Sequence, residues 1–226
     1  MNFSGSYFKT TLVAAALSLS ASTATAVTLS FDSLSNGQFI QNGAFNIDGI
    51  SGYITTNNNR GPNIAQIYDT TQSGGRDPDL ESPTQVGSGD VYGGQNVLIV
   101  AENTYGDFPT GIGTHPDDDL HGGSISFFFD TLVRFTGITL LDAERGGNEI
   151  SVQVDGGLYA LENIVTGNDR WDSYGFDFMT RQIDVTFGGS GAVDSLQIAP
   201  IPLPASVLLL LAGLGGLLGL RRLKPA

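Results

Sequence analysis

The sequence contains no cysteine. Disulfide bonds are therefore excluded, and so is catalysis by a cysteine nucleophile. The fold must be stabilised by its hydrophobic core, with bound metal as a further source of stability.

Basic residues are scarce in the middle of the chain. Residues 27–200 hold all 23 acidic residues but only six of the ten basic ones, all of them arginine, so their formal charge is −17. A segment with this charge repels nucleic acid and anionic membrane surfaces, and it attracts cations. Nucleic-acid binding is excluded on this ground, and a solvated acidic surface is the alternative explanation of the charge.

Helical periodicity is missing between the two termini. Short runs of β-branched and aromatic residues recur instead, separated by Gly, Asn, Asp and Pro. In one of them Ile150, Val152 and Val154 alternate with Ser151 and Gln153, which is typical of a half-buried strand. The pattern predicts one all-β domain over residues 27–200, an antiparallel β-sandwich of the jelly-roll type.

The N-terminus has the features of an export signal. Lys9 precedes an apolar stretch that begins at Leu12 and is too short to span a bilayer, and residues 24–26 read ATA. This small-x-small sequence predicts a signal peptide over residues 1–26 that signal peptidase removes, leaving Val27 as the first residue.

The C-terminus contains a short apolar span. Residues 205–220 carry no charge, and as a helix they would measure ~24 Å, slightly less than the ~30 Å hydrocarbon core. Arg221, Arg222 and Lys224 follow and should stay in the cytoplasm. We therefore expect a transmembrane helix over 205–220, a basic tail over 221–226 and a body on the outer side of the inner membrane.

The order of short motif, apolar span and basic cluster in residues 201–226 resembles the PEP-CTERM sorting signals of Gram-negative bacteria. Ile201, Pro202, Leu203, Pro204 and Ala205 resemble the VPLPA-CTERM variant, with Ile in place of Val. The resemblance implies that an exosortase-type enzyme processes the tail after transient anchoring in the inner membrane. The body would then reach the cell surface or the extracellular space of a bacterium that makes exopolysaccharide, which would be its partner.

Four ordered segments also resemble an extracellular β-sandwich body that recurs in proteins with such tails. They read GGRDPDL, NVLIVAEN, PDDDLHGGSISFFFD and ITLLDAE. No activity is established for that body, so this resemblance implies a fold and no function.

Carboxylates concentrate in loops and at strand ends. The segment SGGRDPDLESP places three of them at alternate positions, which an extended chain would point to one side, and THPDDDLHGG supplies Asp117, Asp118 and Asp119. Several oxygen ligands without sulphur suit a hard cation, so we expect a Ca²⁺ site, with separate solvated loops as the alternative. The predicted ligands are Asp77, Asp79, Glu81, Glu102, Asp118, Asp119, Asp142 and Glu144.

Two aromatic side chains are candidates for carbohydrate binding. Trp171 and Tyr174 lie among acidic and polar residues, as in a platform on which a sugar stacks. The alternative is a core tryptophan or a cross-strand aromatic pair.

Together these features predict an exported, non-catalytic surface or matrix protein that Ca²⁺ stabilises and that associates with exopolysaccharide. One alternative is an extracellular polysaccharide hydrolase or lyase that uses Glu102, Asp142 or Glu144. A purely structural matrix protein is the other.

Overall fold

Twelve β-strands and one short 3₁₀ helix (Pro78–Leu80) make up the regular structure of the described residues. The computed structural model describes residues 25–40, 42–108, 111–144, 147, 149–155, 157, 159–201 and 213–214. The strands are β1 (Val27–Leu29), β2 (Phe39–Ile40), β3 (Gly43–Ile47), β4 (Ile50–Asn58), β5 (Ala65–Asp69), β6 (Thr84–Gln85), β7 (Asn96–Val100), β8 (Gly123–Leu141), β9 (Ile150–Val154), β10 (Tyr159–Ile164), β11 (Arg170–Phe187) and β12 (Ala192–Pro200).

The strands join in one curled sheet with the order β10-β9-β11-β8-β12-β7-β5-β2. The hairpin of β3 and β4 pairs with β8, β1 pairs with β12, and β6 pairs with β11. Every pair in the described part of the chain is antiparallel except β6 with β11. The prediction of an all-β, antiparallel fold is confirmed.

The curl comes from two long strands. β8 and β11 have 19 and 18 residues and pair along most of their length, and each joins neighbouring short apolar and aromatic runs of the sequence. Their register shifts between Gly175 and Phe178 and again between Thr180 and Gln182, and such irregularities bend a strand and increase its twist. The first half of β8 pairs with β4 and the second half with β12, so the sheet curls along this ribbon.

The inner side of the curled sheet holds the main core. Ile54, Phe127, Ile183 and Val154 are cross-strand neighbours on β4, β8, β11 and β9, and all four are buried. Side chains alternate between the two faces of a strand, so the intervening polar residues point outward. In these four strands, the apolar positions of the alternating sequence lie on the buried face.

The segment between β5 and β7 covers part of the outer side. Leu80 and Tyr92 from this segment pack with Val97, Ile99 and Leu141 in a second apolar cluster. The Tyr92 hydroxyl also donates a hydrogen bond to the buried carboxylate of Asp194 on β12. Strand β8 is consequently buried on both faces near its end, and the long polar segment is held against the sheet.

The strands all belong to one of two units into which the chain divides, Ala24–Ile201. The other unit, Met1–Thr23 with Pro202–Ala226, lies outside the described residues except for Gly213 and Leu214. The predictions of a signal peptide over 1–26, a sorting motif over 201–205 and a membrane span over 205–220 fall almost entirely there. No helix within the described residues is both long and apolar enough to cross a membrane.

Candidate metal centre

One edge of the sheet collects the ends of β7 and β8. Both strands pair antiparallel with β12, which lies between them, so they run in the same direction and end at the same edge. Glu102 follows β7 and Asp142 follows β8. The two strand-end carboxylates that the sequence singled out therefore belong to the same edge.

The loop after β7 brings two more carboxylates to this edge. Asp118 forms an isolated β-bridge with Ala101, and one of its carboxylate oxygens, Oδ2, accepts a hydrogen bond from the backbone N–H of Gly191. The N–H of Glu102 donates to the carbonyl oxygen of Asp117 at 3.0 Å. These backbone bonds fix Asp117 and Asp118 beside the end of β7.

The segment that covers the outer face supplies Asp77. This residue caps the 3₁₀ helix, since its Oδ1 accepts from the N–H of Asp79 at 3.2 Å. The Tyr68 hydroxyl donates to the Asp77 carbonyl oxygen at 2.6 Å. Asp77 is thus held from β5 on one side and from its own helix on the other.

The three aspartates form a close cluster. One carboxylate oxygen from each of Asp77, Asp117 and Asp118 lies within 4.8 Å of the others. Asp77 and Asp118 are only 6% and 7% exposed, and Asp77 Oδ2 is buried without a hydrogen-bond partner. A buried polar atom without a partner is costly and rare in folded proteins, and a cation would supply the partner. The cluster can hold a metal ion.

Without a cation, the two most closely placed carboxyls must compete for a proton. Burial raises the pKa of Asp118 well above its ordinary value, and the negative charge of Asp77 raises this pKa further. Burial also raises the pKa of Asp77, and the charge of Asp79 adds to this rise. At least one of the two carboxyls therefore keeps its proton when no cation is present, because both carboxylates cannot be ionised cheaply at this distance.

Two neighbouring carboxyls have pKa values near neutrality. Burial raises the pKa of Asp117 to about 7, aided by the hydrogen bond and charge of Glu102. Burial likewise raises the pKa of Asp142 to about 7, although Asp142 Oδ1 accepts a hydrogen bond from the Asp169 N–H at 2.9 Å. Ionising all of the carboxyl groups at this edge together is therefore unfavourable at neutral pH.

Four other predicted ligands are not part of the three-residue cluster: Asp79, Glu81, Asp119 and Glu144. The charges of Asp79 and Glu144 raise the pKa of Asp142, so both lie near the edge. Glu81 Oε1 accepts from the N–H of Gly75 at 2.5 Å, and Asp119 Oδ1 accepts from the N–H of His121 at 2.7 Å.

The expectation that residues 77–81 form an extended segment is wrong. Pro78–Leu80 is a 3₁₀ helix, in which residues two apart do not share a side. Asp77 belongs to the cluster as the residue that caps this helix, whereas the Glu81 carboxylate accepts a hydrogen bond from the Gly75 N–H.

Two groups at this edge are not marked as ligands by the sequence. Asp117 is the first aspartate of the DDD run, and nothing in the sequence distinguishes it from its two neighbours. The pKa of Tyr68 is raised by burial and by the charges of four surrounding carboxylates, the largest being that of Asp77. Nothing in the sequence around Tyr68 indicates that this residue of the buried strand β5 lies beside an acidic loop.

Trp171 and Tyr174 do not form one platform. They are three residues apart in an unbroken part of β11, so their side chains lie on opposite faces of the sheet. The Trp171 ring packs edge-to-face on Tyr92 at 5.5 Å between centroids, and its Nε1 donates to the Asp90 carbonyl. Tyr174 packs against the main core. Their role in carbohydrate binding stays a prediction.

The arrangement defines an antiparallel β protein with a buried, oxygen-only acidic cluster at one sheet edge. Carboxylate oxygens without nitrogen or sulphur are the ligands of hard divalent cations. No protein-family model matches the chain, and no curated protein matches it.

Proposed function

We propose that the cluster of Asp77, Asp117 and Asp118 binds one Ca²⁺ and that the ion stabilises the fold. The buried, unpartnered oxygen of Asp77 is the observation that carries this proposal. Asp142 and Glu102 supply further negative charge at the same edge. A divalent cation would replace the protons that these carboxyls retain and would join the covering segment to the loop after β7.

Calcium suits this site better than magnesium. Ca²⁺ accepts six to eight oxygen ligands in irregular geometry, whereas Mg²⁺ demands near-ideal octahedral geometry and keeps several waters. The three carboxylates come from two separate segments, the one that covers the outer face and the loop after β7. Carboxylates gathered from different loops support the larger and more tolerant ion.

We also propose that the protein is exported and associates with exopolysaccharide. The likeness of residues 201–226 to PEP-CTERM sorting signals supports processing by an exosortase-type enzyme and delivery to the cell surface or the extracellular space. The long β8–β11 ribbon, which pairs with different strands along its two halves, supports a jelly-roll-like sandwich as the finer description of the body.

The proposed role is non-catalytic. Asp142 is 1% exposed and Asp118 is almost as deeply buried. A polysaccharide chain cannot reach carboxyls at that depth, but a monatomic cation can. The burial therefore disfavours Asp142 as a catalytic carboxyl and leaves the hydrolase or lyase alternative only Glu102, which is exposed, and Glu144, which is half-buried.

Thermal melting of the full chain tests the proposal. We expect a melting temperature several degrees higher in millimolar Ca²⁺ than in EDTA, because a site filled at 100 times its dissociation constant contributes about 2.7 kcal/mol. Mg²⁺ at the same concentration should give a much smaller rise. Equal melting temperatures in EDTA and Ca²⁺ would contradict the proposal.

A further inference from the structure

The outer face of β3, β4, β8, β11 and β9 presents three cross-strand rows of side chains. The neighbouring inward residues, such as Ile54 and Phe127, are buried, so the row residues point away from the core. The first row holds Ala44, Tyr53, Phe128 and Gln182; the second holds Thr55, Ser126, Asp184 and Gln153; the third holds Asn57, Ser124, Thr186 and Ser151.

An exposed aromatic pair lies in the first row. The rings of Tyr53 and Phe128 stack with centroids 4.7 Å apart and planes 13° from parallel. Tyr53 is 43% exposed, and its neighbour on the other side is Ala44, whose methyl group is too small to cover a ring. One face of the Tyr53 ring is therefore open at the surface.

Hydroxyl and amide groups fill most of the remaining positions. Rows two and three contain serine, threonine, asparagine and glutamine, and Asp184 is the one charged side chain of the three rows. Both oxygens of Asp184 accept from the amide of Gln182, at 2.9 and 2.8 Å. The rows offer many groups that both donate and accept hydrogen bonds, with almost no charge.

This chemistry fits one class of ligand. Nucleic acid is excluded because the rows hold no basic side chain and residues 27–200 are strongly acidic. A protein partner usually requires a larger apolar patch than two aromatic rings. A neutral sugar presents C–H groups that pack on a ring face and hydroxyls that pair with hydroxyl and amide side chains.

The geometry points to the three rows as a binding face for a neutral polysaccharide, with Tyr53 as the stacking residue. This inference rests on the proposed association with exopolysaccharide and names its surface and the class of glycan. It is independent of the calcium site, which lies at the edge formed by the ends of β7 and β8.

Native gel electrophoresis of the full chain in neutral detergent tests the inference, with hydroxyethylcellulose or galactomannan in the gel as neutral probes and alginate as an anionic one. We expect at least one neutral probe, but not alginate, to retard the protein. Tyr53→Ala should raise the apparent Kd about tenfold, because the open ring face is lost. Tyr53→Phe keeps that face and should keep most of the retardation. Tyr105→Ala is the matched control, since Tyr105 is a 59% exposed loop tyrosine.

The calcium-induced rise in melting temperature, measured on the same samples, separates the two proposals. A cooperative melting transition of Tyr53→Ala in EDTA shows that the variant is folded, whether or not calcium raises its melting temperature. No retardation of the native chain by either neutral probe, or equal retardation of Tyr53→Ala, overturns the binding face and leaves the calcium site standing. If Tyr53→Ala loses the retardation but calcium does not raise the melting temperature of the native chain, the calcium site is overturned and the binding face is supported.

Discussion

Replacing Asp118 by asparagine is expected to raise the melting temperature of the metal-free protein by a few degrees and to abolish its response to calcium. Burial and Asp77 raise the pKa of Asp118, so the metal-free folded state must keep this carboxyl protonated at neutral pH, and the variant removes the free-energy cost of doing so. The asparagine side-chain oxygen can still accept the hydrogen bond from the Gly191 N–H. Differential scanning fluorimetry in EDTA and in Ca²⁺ measures both effects.

The variant should gain stability in EDTA and lose the calcium-induced rise in melting temperature, and this combination distinguishes a metal site from a structural acidic loop. If Asp118 served only as a hydrogen-bond acceptor, the variant would melt at or below the native temperature under both conditions. Asp130→Asn is the matched control, because Asp130 is an exposed aspartate on β8 outside the cluster, and it should change neither value. A calcium response retained in Asp118→Asn would contradict the assignment.

The metal-free protein is expected to lose stability as the pH rises from about 4 to about 7. Asp117 and Asp142 keep their protons in the folded state up to a pKa of about 7, whereas the unfolded chain releases them near 3.8. The folded state binds more protons in this interval, so the free energy of unfolding falls with pH there and levels off above it. One pKa unit corresponds to about 1.4 kcal/mol. Asp142 alone corresponds to a loss of about 4 kcal/mol, and the partly exposed Asp117 adds less, so we expect a total loss on the order of 5 kcal/mol.

Calcium should remove most of this pH dependence. The bound ion favours the ionised carboxylates, so the folded state no longer retains the extra protons. Burial also raises the pKa of Asp194, which lies outside the cluster, and a small slope should therefore remain. The lowered pKa of Asp69, which comes from its hydrogen bonds to Thr71 and Gln72 despite partial burial, acts in the opposite direction below pH 4. Urea unfolding at pH 4.5 and 7.5, with and without Ca²⁺, checks the prediction. A metal-free protein that is more stable at pH 7.5 would contradict it.

The alternation of apolar residues was sufficient to predict strand β9 and the all-β class of the fold. Ile150, Val152 and Val154 lie inside β9 with their side chains buried, as the period of two requires. The merging of neighbouring runs into β8 and β11 was not predictable, because a bulge reads in the sequence as a break. The curl follows from which strands pair with each half of β8, and that choice depends on contacts distant in sequence.

The sequence identified some of the carboxyls at the acidic edge but not their arrangement, because the arrangement depends on strand order and on local backbone conformation. Glu102 and Asp142 follow apolar runs, so the sequence marks them as strand-end residues, although only the order β7-β12-β8 places them at one edge. Asp77 was selected for an extended geometry that the 3₁₀ helix replaces. The stacked pair of Tyr53 and Phe128 could not be found from sequence, since the two residues become neighbours only through the register of β4 on β8.

Isothermal titration of Ca²⁺ into the metal-free full chain at pH 7.5 tests the central claim most directly. The account predicts one ion bound per chain, with protons released from the raised-pKa carboxyls, and no binding in Asp77→Asn. Proton release appears as a dependence of the measured heat on the ionisation enthalpy of the buffer. Absence of binding at millimolar Ca²⁺, or the same binding in Asp77→Asn, would contradict the claim that these carboxylates form a calcium site.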